Sequence, residues 1–399
     1  MRKYRRLSAV GEVFLASLRL GVTSFGGPIA HLGYFRDDYV VRRKWITDEA
    51  FADIVGLCQL LPGPASSQVN MAIGMSRAGI PGAIAAWAGF TLPSAVALTV
   101  FALLFGGPAF IDSGWMHGIM LAAVAVVGQA VWAMARRLAP DAARASLVIV
   151  AAIASLLLPF ALTQIAVIAL AGIAGLLLLP ARAELPRQHL PFHIPRAVSV
   201  VSLGLFFVLL AGLPIARAFV SVHWLALTES FYRVGALVFG GGHVVLPLLQ
   251  REVVPPGWLG NAQFMAGYGA AQAVPGPLFT FAAYVGAAAG PAPHGIAGAS
   301  IALGAIFLPS FLLLVGILPF WTGIRSRPGF QSALAGINAA VVGLLAAAFY
   351  QPVWTGSVHA IPDVCVVLGA FALLSFWKVR PWIVVAAGAA VGAALRLLG

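Results

Sequence analysis

Apolar runs of about 17 to 25 residues, the length that crosses a hydrocarbon core, recur along the 399-residue chain. Short stretches rich in Pro, Gly and Arg separate these runs. The pattern predicts an all-α polytopic membrane protein of about 13 transmembrane spans. In chain order the predicted spans are residues 11–33, 49–78, 80–106, 115–138, 144–160, 163–180, 198–214, 219–245, 262–290, 295–318, 329–350, 360–376 and 380–398.

The chain repeats itself. RLGVTSFGGPIAHLG at residues 19–33 aligns without gaps on RVGALVFGGGHVVLP at residues 233–247. Further on, WITDEAFADIVGLCQLLPGP ends at residue 64 and aligns on WLGNAQFMAGYGAAQAVPGP, which ends at residue 277. GFTLPS and AIFLPS, which end at Ser94 and Ser310, continue the match. Ordered Arg, Phe, Trp, Gln and Pro identities indicate a duplication.

The duplication predicts three segments: a first repeat over residues 1–185, a linker with one extra span over 186–218, and a second repeat over 219–399. An odd number of spans separates equivalent points of the two repeats. The repeats are therefore predicted to have inverted topology, as in many secondary transporters.

The second predicted span of each repeat contains about 30 residues and a Pro-Gly-Pro. It fits either one broken crossing or a re-entrant pair of helices. A re-entrant pair would move Arg136, Arg137 and Arg144 out of the cytoplasmic loops, which normally hold the Lys and Arg excess. We therefore predict a broken crossing and a cytoplasmic N-terminus. In this arrangement Arg42 and Arg43 lie outside the cell and Arg77 inside.

The two Pro-Gly-Pro turns are the main candidate site. Proline removes amide donors and glycine permits non-helical angles, so each turn must break its helix. The new helix start within the membrane offers free amides and a positive dipole end to an anion. Ser66, Ser67, Gln68 and Asn70 surround the first start, whereas Thr280 is the nearby hydroxyl of the second. Close helix packing is the alternative interpretation.

Other polar and glycine positions complete the candidate site. An Arg within a span is a functional candidate whose planar fork suits tetrahedral oxyanions, although Arg19 could also snorkel to the interface. The Phe-Gly-Gly turns fit anion binding or helix packing equally well. The candidate substrate-binding residues are Arg19, Phe25, Gly26, Gly27, Gln59, Pro62, Gly63, Pro64, Ser66, Ser67, Asn70, Arg233, Gly240, Gly241, Gln272, Pro275, Gly276, Pro277 and Thr280. The candidate coupling residues are Asp53, His31 and His243, with structural roles as the alternative.

Composition narrows the function classes. Only 9% of the residues are charged, against about 25% in soluble proteins. The net charge of +12 comes from basic residues scattered between spans, without a clustered patch, so we expect no nucleic-acid partner. Cys58 and Cys365 have no metal-ligand spacing, and we expect neither a metal nor another cofactor. A membrane-embedded enzyme is disfavoured because the chain has no HExxH and no close pair of membrane acids.

Several motifs together resemble the chromate ion transporter family. The first repeat carries SFGGPIAHLGYFRDDYVVRRKW, LCQLLPGPASSQV and GFTLPSA, and the second carries VFGGGHVVLP, QAVPGP and FLPS. The resemblance implies a two-domain protein of the bacterial or archaeal inner membrane that exports chromate and gives resistance to it. Sulfate has the same shape and charge, so a carrier or channel for sulfate or another oxyanion is the alternative. Protons are the candidate coupling ion, and a homodimer is the candidate assembly.

Overall fold

The structure is a computed structural model that describes residues 2–25, 27–105, 113–158, 161–180, 194–239, 244–321 and 327–398. Within these ranges it is helical and contains no strand, as predicted. The chain forms two compact units. Residues 1–102, 186–242 and 274–323 form the first unit, and residues 103–185, 243–273 and 324–399 form the second. Each unit thus takes segments from both predicted repeats.

The first unit contains the two Pro-Gly-Pro turns. Its helices are α1 (Arg2–Thr23), α2 (Gly27–Phe35, continued by π-helix at Arg36–Arg42), α3 (Asp48–Leu60), α4 (Ala65–Phe105), α8 (Arg196–Phe219), α9 (His223–Leu237), α12 (Phe281–Ala288) and α13 (Gly295–Ile317). The last three residues of α4 belong to the second unit.

Both Pro-Gly-Pro turns break the helix, as predicted. In the first repeat, α3 ends at Leu60 and α4 begins at Ala65. In the second repeat the preceding helix ends at Ala273, and a 3-10 turn over Leu278–Thr280 comes before α12. Only the first break therefore leads directly into an α-helix. Gly79, with a φ of +67°, interrupts α4 at the predicted boundary between two spans.

The two segments before Gly79 fold back instead of crossing. Ser17 Oγ lies 3.1 Å from Tyr39 Oη, and Glu12 lies 3.8 Å from Arg43, so α1 and the segment over residues 27–43 run antiparallel. Arg77 at the end of the next segment also reaches Glu12, at 3.1 Å. Because a crossing would separate these groups by about 30 Å, the prediction that residues 11–33 and 49–78 each cross the membrane is wrong. Each segment is instead a pair of antiparallel helices.

The same contacts correct the predicted sides of the loop arginines. The guanidinium carbons of Arg43 and Arg77 lie 5.1 and 5.6 Å from the centre of the Trp45 ring. Arg43 and Arg77 therefore lie on the same side of the membrane, not on opposite sides as predicted. Glu12 lies about 18 Å along α1 from its break, roughly half the thickness of a hydrocarbon core. The part of α1 between Glu12 and the break is therefore too short to cross a hydrocarbon core of about 30 Å.

In each repeat, the helix that follows the break packs closely against the next helix. Asn70 on the first part of α4 donates to the Ala86 carbonyl on the second part at 2.9 Å. A Cβ atom on Gly74 would collide with the Gly82 carbonyl, and the same relation holds between Gly286 and Gly298 of the second repeat. Small residues at these positions let the backbones approach closely. Both repeats thus contain a close glycine contact of this kind within the first unit.

The second unit is built from the remaining helices. They are α5 (Gly114–Leu138), α6 (Ala142–Leu157), α7 (Ala161–Leu178), α10 (Val245–Val253), α11 (Asn261–Ala273), α14 (Pro328–Ala348, followed by Phe349–Trp354), α15 (Ile361–Ser375) and α16 (Pro381–Leu398). Gly118 on α5 packs against Gly388 and Gly392 on α16. Six of these helices, α5 to α7 and α14 to α16, have bounds close to those of the spans predicted for the same regions.

Five helical segments among the described residues are long and apolar enough to cross a membrane: Ala65–Phe105, Gly114–Leu138, Arg196–Phe219, Gly295–Phe320 and Gly329–Gln351. Five shorter apolar helices accompany them. The molecule is a polytopic helical membrane protein.

Candidate functional site

Each Pro-Gly-Pro turn is held by the backbone of the other repeat. Gly63 in the first turn donates its N–H to the Val238 carbonyl at 2.6 Å, and Gly276 in the second donates to the Ser24 carbonyl at 3.0 Å. Ser24 and Val238 occupy equivalent positions, directly before the two Phe-Gly-Gly turns. The exchange satisfies amides and carbonyls that the broken helices leave free, as the apolar surroundings require.

Glycine is required in both turns. Gly63 has a φ of +114° and Gly276 a φ of +103°, values that side chains of L-residues rarely allow. A Cβ atom at Gly63 would collide with Ser310 Oγ, and one at Gly276 would lie 2.7 Å from Ser94 Oγ. Ser94 and Ser310 close the Leu-Pro-Ser sequences that the two repeats share. Each turn therefore fits closely against a serine of the opposite repeat.

His31 lies between the two turns. Its side chain is buried, and Nδ1 lies 3.3 Å from Oγ of Ser66, in the first turn of α4. The ring also lies beside the backbone of Ser24, which accepts from Gly276. On its other side, the ring packs edge-on against Phe90, with centroids 5.2 Å apart. The predicted coupling residue therefore links the surroundings of both breaks.

Several buried polar atoms around the turns lack hydrogen-bond partners within the described residues. They are Ser24 Oγ, His31 Nε2, Ser67 Oγ, Gln68 Oε1, Thr91 Oγ1 and Ser310 Oγ. Buried polar groups normally have partners, and each one without a partner costs about 1 to 3 kcal/mol. A concentration of such atoms around the two helix breaks indicates a place for a polar ligand.

Arg19 and Arg233 are paired with carboxylates. Arg19 is 58% exposed, and its Nη1 lies 3.9 Å from Asp38 Oδ1. Arg233 Nε lies 2.5 Å from Oε1 of Glu229, one turn earlier on α9. The described ion pairs of both arginines are with acidic residues on neighbouring helical turns or segments. The role of both arginines in substrate binding stays a prediction.

Two buried acids were missed by the sequence reasoning. Glu229 is 2% exposed and also binds Arg217 at 2.6 Å, while Asp38 is 7% exposed. The sequence analysis named Asp53 as the acidic candidate for coupling and named neither of these two residues. The Glu229–Arg233 spacing of four residues, which places both on one helix face, was the signal that could have revealed Glu229.

The remaining candidates take different positions. Asn70 Oδ1 accepts from Tyr39 at 2.7 Å and from Ser17 at 3.3 Å, so Asn70 braces α1, α2 and α4. Thr280 Oγ1 donates to the Pro277 carbonyl at 2.7 Å. Gln68 Nε2 donates to the Pro62 carbonyl at the first break, also at 2.7 Å.

The other predicted site residues are divided between the first unit, the second unit and the stretches outside the described residues. Phe25, Gly27, Asp53, Gln59, Pro64 and Pro275 lie in the first unit with the turns, whereas Gln272, at the end of α11, belongs to the second unit. Gly26, Gly240, Gly241 and His243 lie outside the described residues. Ser24, Thr91, Ser94 and Ser310 join the site, although the sequence reasoning had used the last two only to align the repeats.

Chemically, the surroundings of the two turns offer neutral groups. Hydroxyls, an imidazole and the first amides of α4 can all donate to oxygen atoms, and the helix start adds a positive dipole end. Such a set suits an anion whose oxygen atoms point in several directions.

Comparison with known proteins gives consistent results. The sequence profile of a family described as "Chromate transporter" matches residues 11–176 and 225–393. The chain is 28% identical to a chromate transport protein of Cupriavidus metallidurans, covering 96% of this chain and 92% of the relative. It is also 28% identical to a probable chromate transport protein of Synechococcus elongatus, covering 90% and 88%.

A shorter relative matches only part of the chain. An uncharacterized transporter of Bacillus subtilis is 32% identical over 157 residues, which is 39% of this chain and 85% of the relative. No solved structure matches the chain significantly.

Proposed function

The chain belongs to the chromate transporter family, and we propose that it exports chromate across the cytoplasmic membrane by alternating access and thereby gives chromate resistance. Membership of the family implies a transporter rather than an enzyme. The observation that carries the proposal is the exchange of hydrogen bonds between the two Pro-Gly-Pro turns and the opposite repeat, beside buried donors without partners.

In this proposal the dianion binds between the two breaks. The amides at the start of α4, with Ser66 and Ser67, hold it from one side. Ser310 approaches the first turn from the second repeat, and Ser94 approaches the second turn from the first repeat. Neutral donors and a helix dipole stabilise the anion without binding it so tightly that release becomes slow. In the proposal, the first break contributes more to anion binding than the second, because it leads directly into an α-helix.

The proposed topology has nine crossings, with two inverted repeats and a cytoplasmic N-terminus. Two re-entrant pairs per repeat replace four of the spans predicted from sequence, which leaves an odd number between the repeats. Support comes from the direction of the helices after the breaks. The first part of α4 leads from its break towards Arg77, whereas α12 leads towards Phe101, whose ring lies 6.0 Å from Tyr284. The two repeats thus leave mid-membrane towards opposite sides.

Loop charge agrees with this topology. Arg36, Arg42, Arg43 and Lys44 now join the cytoplasmic side, where an excess of Lys and Arg is expected. Among the loop cations, only Arg217, Arg251 and Arg396 remain on the outer side.

Membrane voltage favours export. Moving two negative charges out of a cell at about −100 mV releases roughly 4.6 kcal/mol, at about 2.3 kcal/mol per charge. This free energy corresponds to a concentration ratio of about a thousandfold. Proton import in exchange is a second driving force in the proposal, with His31 as the carrier because it lies between the breaks, and Asp53 as the alternative.

Everted membrane vesicles test the function, because export then appears as uptake. Energised vesicles that contain the protein should accumulate radiolabelled chromate, and vesicles with the Gly63→Ala variant should not. Equal uptake with and without the protein would refute the proposal.

Sulfate is the second candidate substrate, since the neutral donors around the breaks do not distinguish two dianions of the same shape. Competition among chromate, sulfate, molybdate and phosphate in reconstituted vesicles decides between them. A carrier also concentrates its substrate against a gradient, whereas a channel does not.

A further inference from the structure

We propose that four arginines at the rim of the re-entrant pairs form an electrostatic capture site that attracts the dianion before it reaches the breaks. The arginine cluster consists of Arg19, Arg42, Arg43 and Arg77 together with Glu12 and Asp38. This inference rests on the proposed function and assigns the first encounter with the substrate to residues outside the binding site itself.

Charge is unbalanced within the arginine cluster. Asp38 is shared by three guanidinium groups: Arg42, Arg43 at 2.7 Å and Arg19 at 3.9 Å. Glu12 is shared by Arg77 at 3.1 Å and Arg43 at 3.8 Å. Four positive charges therefore face two negative charges, and the excess is available to an arriving anion.

The arginines with spare charge are exposed at the protein surface. The side chains of Arg19, Arg42 and Arg77 are 58%, 46% and 44% exposed, whereas the Asp38 side chain beneath them is 8% exposed. A dianion approaching from solvent therefore meets the guanidinium groups first. Coulombic attraction on a dianion is twice that on a monoanion at the same distance.

Packing holds the guanidinium groups in place. Arg43 and Arg77 lie against the Trp45 ring, and Trp45 stacks on Tyr39 with centroids 5.1 Å apart. The Tyr39 hydroxyl donates to Asn70, five residues after Ala65 at the start of α4. Fixed positive groups raise the local anion concentration without the entropic cost of ordering free side chains.

The arginine cluster also lies on the way to the first break. Arg19 is five residues before Ser24 on α1, a rise of about 7.5 Å. The cluster faces the cytoplasm in the proposed topology, which is the side from which an exporter takes its substrate. The proposed sequence is capture at the rim followed by transfer to the buried donors.

Equilibrium binding tests the arginine cluster directly. Purified protein in phosphatidylcholine nanodiscs is titrated with radiolabelled chromate at about 10 mM and at about 0.5 M potassium gluconate. The double variant Arg42→Gln with Arg77→Gln should bind about 5- to 10-fold more weakly at low salt and within about twofold of the parent at high salt. A loss of equal size at both salt concentrations would overturn the capture site.

Two further variants separate capture from folding. Arg36 is 50% exposed but paired one-to-one with Asp48 at 2.7 Å, so Arg36→Gln is the matched control and should leave binding unchanged. Glu12→Gln releases Arg43 and Arg77 and should strengthen binding at low salt about 2- to 3-fold, an effect that damage to the fold would not produce. Equal losses in Arg36→Gln and the double variant, or weaker binding by Glu12→Gln, would contradict the proposal.

The lipid composition and a transport assay complete the test. Anionic headgroups carry the same charge as the substrate, so the titration is repeated with phosphatidylglycerol in the nanodiscs. An effect of the double variant only with phosphatidylglycerol would assign the arginines to lipid and overturn the proposal. Initial uptake into everted vesicles should show the same salt dependence as binding. Salt-dependent binding without any uptake would refute the proposed export but leave the capture site standing.

Discussion

Gly276 donates its backbone N–H to the Ser24 carbonyl at 3.0 Å, and so joins the helix break of the second repeat to the end of the first helix. The equivalent bond from Gly63 to Val238 joins the helix break of the first repeat to the end of α9 in the second repeat. Any movement of one repeat against the other must therefore change the surroundings of both breaks. In an alternating-access transporter, such a link would make the two breaks respond together.

Adding a methyl group to either turn should abolish transport. Gly63→Ala and Gly276→Ala place a Cβ against a serine and force a φ that L-residues disfavour, so we expect more than a tenfold loss of chromate uptake. Gly56→Ala is the control, because a Cβ there has no neighbour within 4 Å. Normal uptake by the Gly63 variant at equal expression would show that the turn geometry is not needed.

Ser310→Ala should weaken substrate binding without weakening the fold. Ser310 Oγ has no hydrogen-bond partner among the described residues, so its removal breaks no bond within that part of the protein. We expect a 3- to 10-fold higher KM for chromate uptake, equivalent to about 1 kcal/mol, with an unchanged Tm.

Ser199→Ala provides the opposite result for comparison. The buried Ser199 hydroxyl donates to the Val315 carbonyl at 3.0 Å, so we expect a lower Tm with an unchanged KM. If Ser310→Ala left the KM unchanged, the Ser310 hydroxyl would not belong to the binding site.

His31→Gln should remove the proton-driven part of transport. Glutamine can still hydrogen-bond to Ser66, but its side-chain amide does not take up a proton as an imidazole does. In everted vesicles, an acid interior should increase chromate accumulation by the parent protein and not by the variant. The exposed His294, at the start of α13, supplies the control His294→Gln. A full response to the pH gradient in His31→Gln would transfer the coupling role to another group.

Glu229→Gln should destabilise the protein. The Glu229 side chain is 3% exposed and forms ion pairs with both Arg217 and Arg233, so the substitution removes the carboxylate charge from two ion pairs at a buried position. We expect a cost of about 2 to 4 kcal/mol, reduced from the buried limit because Arg217 is 36% exposed. The measurement is the Tm of the purified protein, and an unchanged Tm would show that solvent already screens this cluster.

Cysteine labelling tests the re-entrant pairs. In a background without Cys58 and Cys365, Asp37→Cys should react with a membrane-impermeant maleimide in inverted vesicles and not in intact spheroplasts. Ser221→Cys, between α8 and α9, should show the reverse pattern in the proposed topology. Labelling of Asp37→Cys in intact spheroplasts would restore the single crossing predicted from sequence.

The side chosen for residues 36–44 shows where the sequence reasoning failed. One re-entrant pair reverses the side of every later loop, so the charge count rejected it when it was considered alone. Two consecutive re-entrant pairs return every later loop to the side that the charge count favours. Hydropathy does not help, because a re-entrant pair and a crossing of the same length have the same apolar pattern. The contacts of Arg43 and Arg77 with Trp45 were needed to decide.

The sequence by itself determined the solvent of the protein, the duplication and the positions of both helix breaks. Composition, periodicity and the covalent restrictions of proline and glycine act locally, so they can be read along the chain. Tertiary structure alone decided which groups meet at the breaks. The bonds from Gly63 to Val238 and from Gly276 to Ser24 join residues more than 170 positions apart, as do the contacts of both glycines with Ser310 and Ser94. Such partners are chosen by packing across the whole unit, which no local pattern records.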